Sequence, residues 1–389
     1  MKERVAIIGI GQTKQSYLKP EVNAEEMVNE AVRKAIEDAR LSMKDIDAVV
    51  SGNIEFLEGH YQADCQFADG FGAWMKPGLA IQTGGCTGGS LVVAGTMLAA
   101  SGLFNKVLVI GWQKMDATPF TGAINTTREP IYDRHLNVGA AAFLAARGIR
   151  YMEETGCPEE IASLSRALVS EGASRNPYTH INRRLTAEEV MKSRVIVWPV
   201  RFYHLAPTSC GAAALVLANE SEAKKAVKKP VWIKDLVVVH RETSVYRGGA
   251  VEVSSSPDAV EKAATTLFKR NGIVNPRKEI DVWETYSPSS WYDMFDMERR
   301  HIAEKGQAWR LIEKELTRFD REIPWNPSGG VVCSNPIGAS GMLRVLQAAL
   351  QIRGEAGGHQ VPKEVRLAQA DAYGGTHWSE FFLLSKYLS

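Results

Sequence analysis

The chain has 389 residues, with 46 Lys and Arg against 45 Asp and Glu for a formal net charge of +1, and is 45% apolar and 23% charged. That length exceeds what one hydrophobic core usually serves and favours two domains or two fused halves; the even charge excludes nucleic acid or an anionic membrane as a bulk partner, so an anionic ligand must be met by a local patch. The cysteines (Cys65, Cys86, Cys157, Cys210 and Cys333) are odd in number, widely spaced and without a CxxC pair, which speaks against a disulfide framework or a metal site of this chain's own.

The opening MKERVAIIGIGQT enters a buried-strand pattern without the apolar stretch of a signal peptide, and no apolar run reaches the length of a membrane span. The expected compartment is the cytoplasm. VAIIGIG (5–11) leads into NAEEMVNEAVRKAIEDARL (23–41), whose apolar positions recur at helical spacing. Strands are expected at DIDAVVSGNI (45–54), GLAIQTGG (78–85) and KVLVIGW (106–112), with a helix at SLVVAGTMLAASG (90–102). This βαβ rhythm predicts a mostly parallel sheet covered by helices on both faces.

Between the third strand and its helix stands QTGGCTGGS (82–90), a single cysteine framed by glycines. A thiol at a helix N-terminus meets unpaired N–H groups and the positive end of the dipole, which favour the thiolate. The glycines permit a tight turn and the approach of a carbonyl carbon. Cys86 is therefore the candidate nucleophile, whereas the other four cysteines read as packing residues.

Residues 112–204 interrupt this first half with TPFTGAINTTREPIYDRH, a helical pair around 138–174, and the basic segment HINRRLTAEEVMKSRV (180–195). An insertion of that length predicts a lid or binding loop. The charged SEAKKAVKKP marks a boundary, giving an N-terminal half of 1–228 and a C-terminal half of 229–389. The second half repeats the plan with a strand at 231–240, a helix at 256–273, a strand at 280–287, a helix at 340–358 and strands at 365–375 and 380–388. Its glycine-rich NPSGGVVCSNPIGASG (326–341) precedes a helix, as the frame of Cys86 does, and makes Asn335 a candidate oxyanion donor.

These stretches resemble the thiolases. LAPTSCGAAALVLANE (205–220) is similar to the PTSDGAAALVL stretch of the sterol-carrier type, and NPSGGVVCSNPIGASG to the family's NxxGGxxxxGHPxGASG. The resemblance implies an α/β thiolase fold: two duplicated βαβ halves in a five-layer αβαβα arrangement, with 112–204 as an inserted covering domain. It makes Cys86 the acyl-accepting cysteine and coenzyme A a substrate. The chain departs from the family at Asn335, which replaces the GHP histidine, at Tyr286, which replaces the Asn or His of NEAF or HDCF, and at Ala372, where the second cysteine is expected. The remaining proton-transfer candidates are Tyr286, Tyr373 and His377.

Two atypical branches share such changes. The benzoylsuccinyl-CoA thiolase type keeps the nucleophilic cysteine and works with a small zinc-ribbon/OB-fold subunit; the steroid side-chain aldolase type lacks the cysteine, has tyrosines in a YGG context, and pairs with a similar subunit. Cys86 favours the first, with cleavage or formation of a β-ketoacyl-CoA, aromatic degradation as a setting and a homodimer as the unit. A retro-aldolase acting on a β-hydroxyacyl-CoA and a non-catalytic acyl-CoA-binding scaffold are the alternatives. The aromatic stretches WETYSPSSWYDMF (283–295) and RFYHLAP (201–207) are candidates to line a pocket for a bulky acyl group. Arg183, Arg184, Lys192 and Arg194 suit the phosphates of coenzyme A, with Ser340 a further candidate contact, although such a basic run is equally a solvated helix face.

Overall fold

The computed structural model describes residues 3–66, 68–116, 120–126, 130–131, 134–136, 139–240, 259–374 and 378–388. In chain order the elements that matter are β1 (Val5–Gln12), α1 (Ala24–Ala39), β2 (Ala48–Gly52), β3 (Gly78–Ala80), α2 (Thr87–Ala100), β4 (Lys106–Gln113), α3 (Gly139–Thr155), α4 (Glu160–Ala173), α5 (Ala187–Lys192) and the short pair β5 (Val195–Val197) and β6 (Val200–Arg201). They continue with β7 (Gly211–Asn219), β8 (Val231–His240), α6 (Ala259–Arg270), β9 (Val282–Glu284), α7 (Ser290–Arg299), α8 (Ile337–Arg353), β10 (Leu367–Gly374) and β11 (Trp378–Ser385).

Local chemistry sets the ends of α1: the Asn23 side chain accepts from the Glu26 amide at 2.8 Å, the Glu26 carboxylate accepts from the Asn23 amide at 2.9 Å, and Arg40 closes the helix in the left-handed region. Its buried face lies directly on β1, because a Cβ added at Gly11 would come within 2.0 Å of the Ala31 carbonyl oxygen.

Nine strands form one sheet in the order β3-β2-β4-β7-β1-β8-β11-β10-β9. The duplication is visible in this order. In each half the last strand, β7 or β11, lies antiparallel between the half's first strand and the strand that precedes it within this sheet, β4 or β10. The halves meet where β1 pairs antiparallel with β8, Val5 opposite Ile233. The sheet is thus mixed rather than mostly parallel. Only residues 375–377 separate β10 from β11, too few for the helical crossover that parallel neighbours require.

Strand alternation produces the layers. Val5 and Ile7 face a central core containing α2 and α8, while Ala6 and Ile8 face α1. In the second half Ala368, Ala370, Phe382 and Leu384 face the same central helices, and Phe381 and Leu383 face an outer core with α6. The result is the expected five layers. Helices α3 and α4 of the inserted segment pack into that outer core, against Trp283 and Trp291, so an insertion in the first half's sequence covers the second half.

Candidate active site

Cys86 is the N-cap residue of α2, and its carbonyl accepts from the amides of Gly89 at 2.8 Å and Ser90 at 3.0 Å. Gly84 makes the preceding turn with φ +60. The next two glycines serve packing rather than substrate approach. A Cβ at Gly88 would lie 2.7 Å from the Met342 amide nitrogen of α8, and one at Gly89 would lie 2.1 Å from Glu380 Oε2 and 2.4 Å from the Ala372 Cβ. Across from the sulfur stands β10, where a Cβ at Gly374 would come within 2.8 Å of Cys86 Sγ.

The expectation of a resting thiolate is overturned. Cys86 is 0% exposed, and its pKa is driven well above the ordinary thiol value by burial first and then by the carboxylates of Glu380 and Asp371. A helix N-terminus stabilises an anion by about 0.3–1 kcal/mol and at best about 2. Complete burial moves a titratable group by up to about 3–5 pKa units, at about 1.36 kcal/mol each. Desolvation wins, so the thiol is neutral at rest and its attack on a carbonyl needs a proton acceptor.

The second half brings Tyr286 and Asn335 to this point. The Tyr286 hydroxyl donates to Asn335 Oδ1 at 3.5 Å, and the Ser340 hydroxyl donates to the same oxygen at 2.7 Å. With Oδ1 engaged twice, Asn335 offers a ligand its amide N–H, which suits an oxyanion. Burial and the neighbouring Cys86 raise the Tyr286 pKa, so this tyrosine is a hydroxyl donor and not a base. Ser340 does not face a coenzyme: it is fully buried on α8, its hydroxyl also reaches the Pro336 carbonyl at 3.1 Å, and its effect is to orient Asn335.

Tyr373 lies on the opposite face of β10 from Gly374, with its ring 6.0 Å from that of Tyr292. It lines a small cavity with Tyr286, Tyr292, Asp296, Arg300 and Phe381. His377 falls outside the described residues. The basic residues are exposed; Arg183 pairs with Glu189 at 3.4 Å, Arg184 with Glu171 at 3.4 Å and Lys192 with Glu188 at 2.5 Å, and Arg194 is exposed near the end of the segment. Of the aromatic stretches, Trp283 and Trp291 are fully buried core, whereas Phe202 is exposed.

Sequence reasoning missed three buried charges. Asp371 accepts from the Tyr286 amide at 2.8 Å through Oδ1 and from Arg300 at 2.7 Å through Oδ2, tying the tyrosine's backbone to α7's last turn. Glu380, 2% exposed on β11, accepts from the Ser90 hydroxyl, and burial raises its pKa to about 8. The available signal was a carboxylate inside an otherwise apolar strand, EFFLLS and AQADAY. No group of three or more metal-ligating side chains occurs among the described residues.

Comparison with known proteins agrees with this architecture. Residues 251–386 match the "Thiolase C-terminal domain-like" family. An acetyl-CoA acetyltransferase of Methanothermobacter thermautotrophicus is 30% identical over 380 residues, covering 96% of both chains. The benzoylsuccinyl-CoA thiolase subunit BbsB of Thauera aromatica is 24% identical, again over 96% of both. Among solved structures, the Ltp2-ChsH2(DUF35) aldolase superposes with a TM-score of 0.84 at 22% identity, covering 98% of each chain. With a 30% identical relative aligned over nearly its whole length, the chain belongs to the thiolase superfamily, in its sterol-carrier-like branch.

Proposed function

We propose that this protein is a coenzyme A-dependent thiolase that cleaves or forms a β-ketoacyl-CoA through an acyl-Cys86 intermediate. The observation that carries this reading is the closeness of Cys86, at the start of α2, to Gly374 and to Tyr286, whose hydroxyl reaches Asn335, all three from the other half. Cys86 supplies the nucleophile, and Asn335 a donor for a developing oxyanion. Incubation with acyl-CoA followed by intact-mass measurement tests it. An acyl adduct is expected on the wild type and lost in Cys86→Ala; no adduct on the wild type removes the reading.

A bulky, aryl-bearing acyl group such as that of 2-benzoylsuccinyl-CoA is the proposed substrate. Support comes from the likeness to BbsB and from the aromatic lining of the cavity beside Tyr286. The exposed segment holding Arg183, Arg184, Lys192 and Arg194 is the proposed contact for the coenzyme's phosphates. A homodimer is proposed through β3 at the sheet's edge, with exposed Trp74 and Met75 leading into it and exposed Leu79 within it. A small zinc-ribbon/OB-fold subunit is the proposed second partner, supported by likeness to a protein named as a DUF35 complex. The cytoplasm is the proposed compartment.

One observation favours a second reading. Tyr286, Tyr292 and Tyr373 share the cavity, and the Ltp2-ChsH2(DUF35) aldolase has the same fold. Release of an aldehyde from a β-hydroxyacyl-CoA, undiminished in Cys86→Ala, would establish the retro-aldolase instead.

A further inference from the structure

Position 372 carries alanine where the thiolase pattern has its second cysteine, and the residue directly opposite it on β11 is Glu380. Both side chains leave the sheet toward α2: a Cβ on Gly89 would touch the Ala372 Cβ at 2.4 Å and Glu380 Oε2 at 2.1 Å. Gly374, against which Cys86 Sγ rests, lies on that same face of β10. The cysteine's usual position and the Glu380 carboxylate therefore border one space beside the nucleophile.

Glu380 also lacks the arginine partner that Glu284 and Asp371 have. Glu284 is held by Arg344 and Ser328, and Asp371 by Arg300. Glu380 has only the Ser90 hydroxyl on Oε1, itself 2.6 Å from Thr83 Oγ1, and its buried Oε2 has no hydrogen-bond partner among the described residues. Among the described residues its neighbours include Ser90 of α2, Cys86 at that helix's N-cap, Ala372 and, beyond it, Asp371 of β10, and Val238 opposite on β8, none of them cationic. A buried carboxyl without an ion pair is costly, and among the described residues no partner beyond Ser90 accounts for this one.

We propose that Glu380 is the proton-transfer residue of this site, taking over from position 372. This rests on the thiolase reading. In cleavage, the Glu380 carboxylate takes the proton of the Cys86 thiol as sulfur attacks the β-carbonyl carbon. The Cα–Cβ bond then breaks, its electron pair passes to the departing thioester as an enolate, and the Glu380 carboxyl protonates that α-carbon. The carboxylate next takes the proton of incoming coenzyme A, whose sulfur displaces Cys86 from the acyl group; the proton returns to Cys86. Burial raises the Glu380 carboxyl to about 8 and the Cys86 thiol well above its ordinary value, so near pH 7.5 the carboxylate form of Glu380 faces a still-protonated thiol.

The test is α-hydrogen exchange of acetyl-CoA in D2O at pH 7.5, alongside the mass of the acetyl–Cys86 adduct formed at pH 9, where the thiolate fraction is larger than at pH 7.5 without help from Glu380. Wild type shows adduct and exchange. E380Q retains the adduct and exchanges about 100-fold more slowly or worse, the range of general acid–base catalysis; E380D, which keeps a carboxyl, recovers part of the rate. Exchange in E380Q within threefold of wild type, or a wild-type adduct without exchange, overturns the role of Glu380. If E380Q forms no adduct, E380D decides: partial recovery supports the role and an equal loss overturns it. Absence of adduct on the wild type instead removes the thiolase reading itself.

Discussion

A neutral resting thiol at Cys86 has a measurable consequence in its alkylation rate against pH. At pH 7 a thiol titrating at 9 or above is about 1% thiolate or less, whereas one lowered to 7 by a helix start is about half ionised, a difference of about 50-fold in reactive species. Burial slows iodoacetamide by a factor common to all pH values, so the slope is diagnostic and the absolute rate is not. Peptide mass spectrometry resolves Cys86 from exposed Cys65, which serves as reference in the same sample. The Cys86 rate should climb about tenfold per pH unit between 6.5 and 8.5, following the thiolate fraction. In Glu380→Gln the rate should be higher at each of these pH values and level off at lower pH, because the Glu380 charge is the largest cause after burial of the raised thiol pKa. A rate already level between pH 7 and 9 would refute the argument that desolvation outweighs the helix dipole here.

Other consequences are equally direct. Gly89→Ala puts a methyl 2.1 Å from Glu380 Oε2 and 2.4 Å from the Ala372 Cβ, and should cost about 1–3 kcal/mol in denaturant unfolding, the usual range for overpacking. Ser340→Ala removes the hydroxyl that holds Asn335 Oδ1, so steady-state kinetics should show kcat falling with KM little changed. Burial raises the carboxyls of Glu58 to about 7, Asp296 to about 6 and Glu380 to about 8, from ordinary values near 4. The folded state therefore binds more protons than the unfolded chain between these limits, and stability present below pH 4 should be lost as pH rises through 6 to 8. Melting temperatures across that window check the sign, and Glu58→Gln should flatten part of the slope.

The sequence reveals elements wherever one face is apolar and the ends are capped. Helix α1 carries its Asn23–Glu26 box in plain view, and the glycine frames announce α2 and α8. It conceals what depends on pairing across the chain. The antiparallel insertion of β7 and β11 leaves no local mark, since a strand buried on both faces reads the same in either direction. The ionisation of Cys86 is hidden for the same reason: QTGGCTGGS displays the helix start that favours a thiolate, while the burial and the carboxylates of Glu380 and Asp371 that oppose it come from 285 or more residues away. Ser340 shows the converse case, a polar residue in the GASG frame whose hydroxyl is engaged by a neighbour.

The duplicated architecture explains why nucleophile and helpers are separated in this way. Each half directs one central helix, α2 or α8, into the same middle layer, and the start of each meets the other half's strands. Gly88 lets α2 lie against α8, and Gly89 lets it lie against β10 and β11. The first half contributes the sulfur; the second contributes Asn335 at the head of α8, Tyr286 after β9, and the carboxyl of Glu380 on β11. A thiol set so deep gains protection from solvent and pays with its acidity, so its reactivity must depend on groups that only the folded pairing of β10 with β11 can deliver. A one-residue slip in that register would turn Glu380 to the opposite face and leave Cys86 with helix, glycine and amide but no nearby carboxylate on β11.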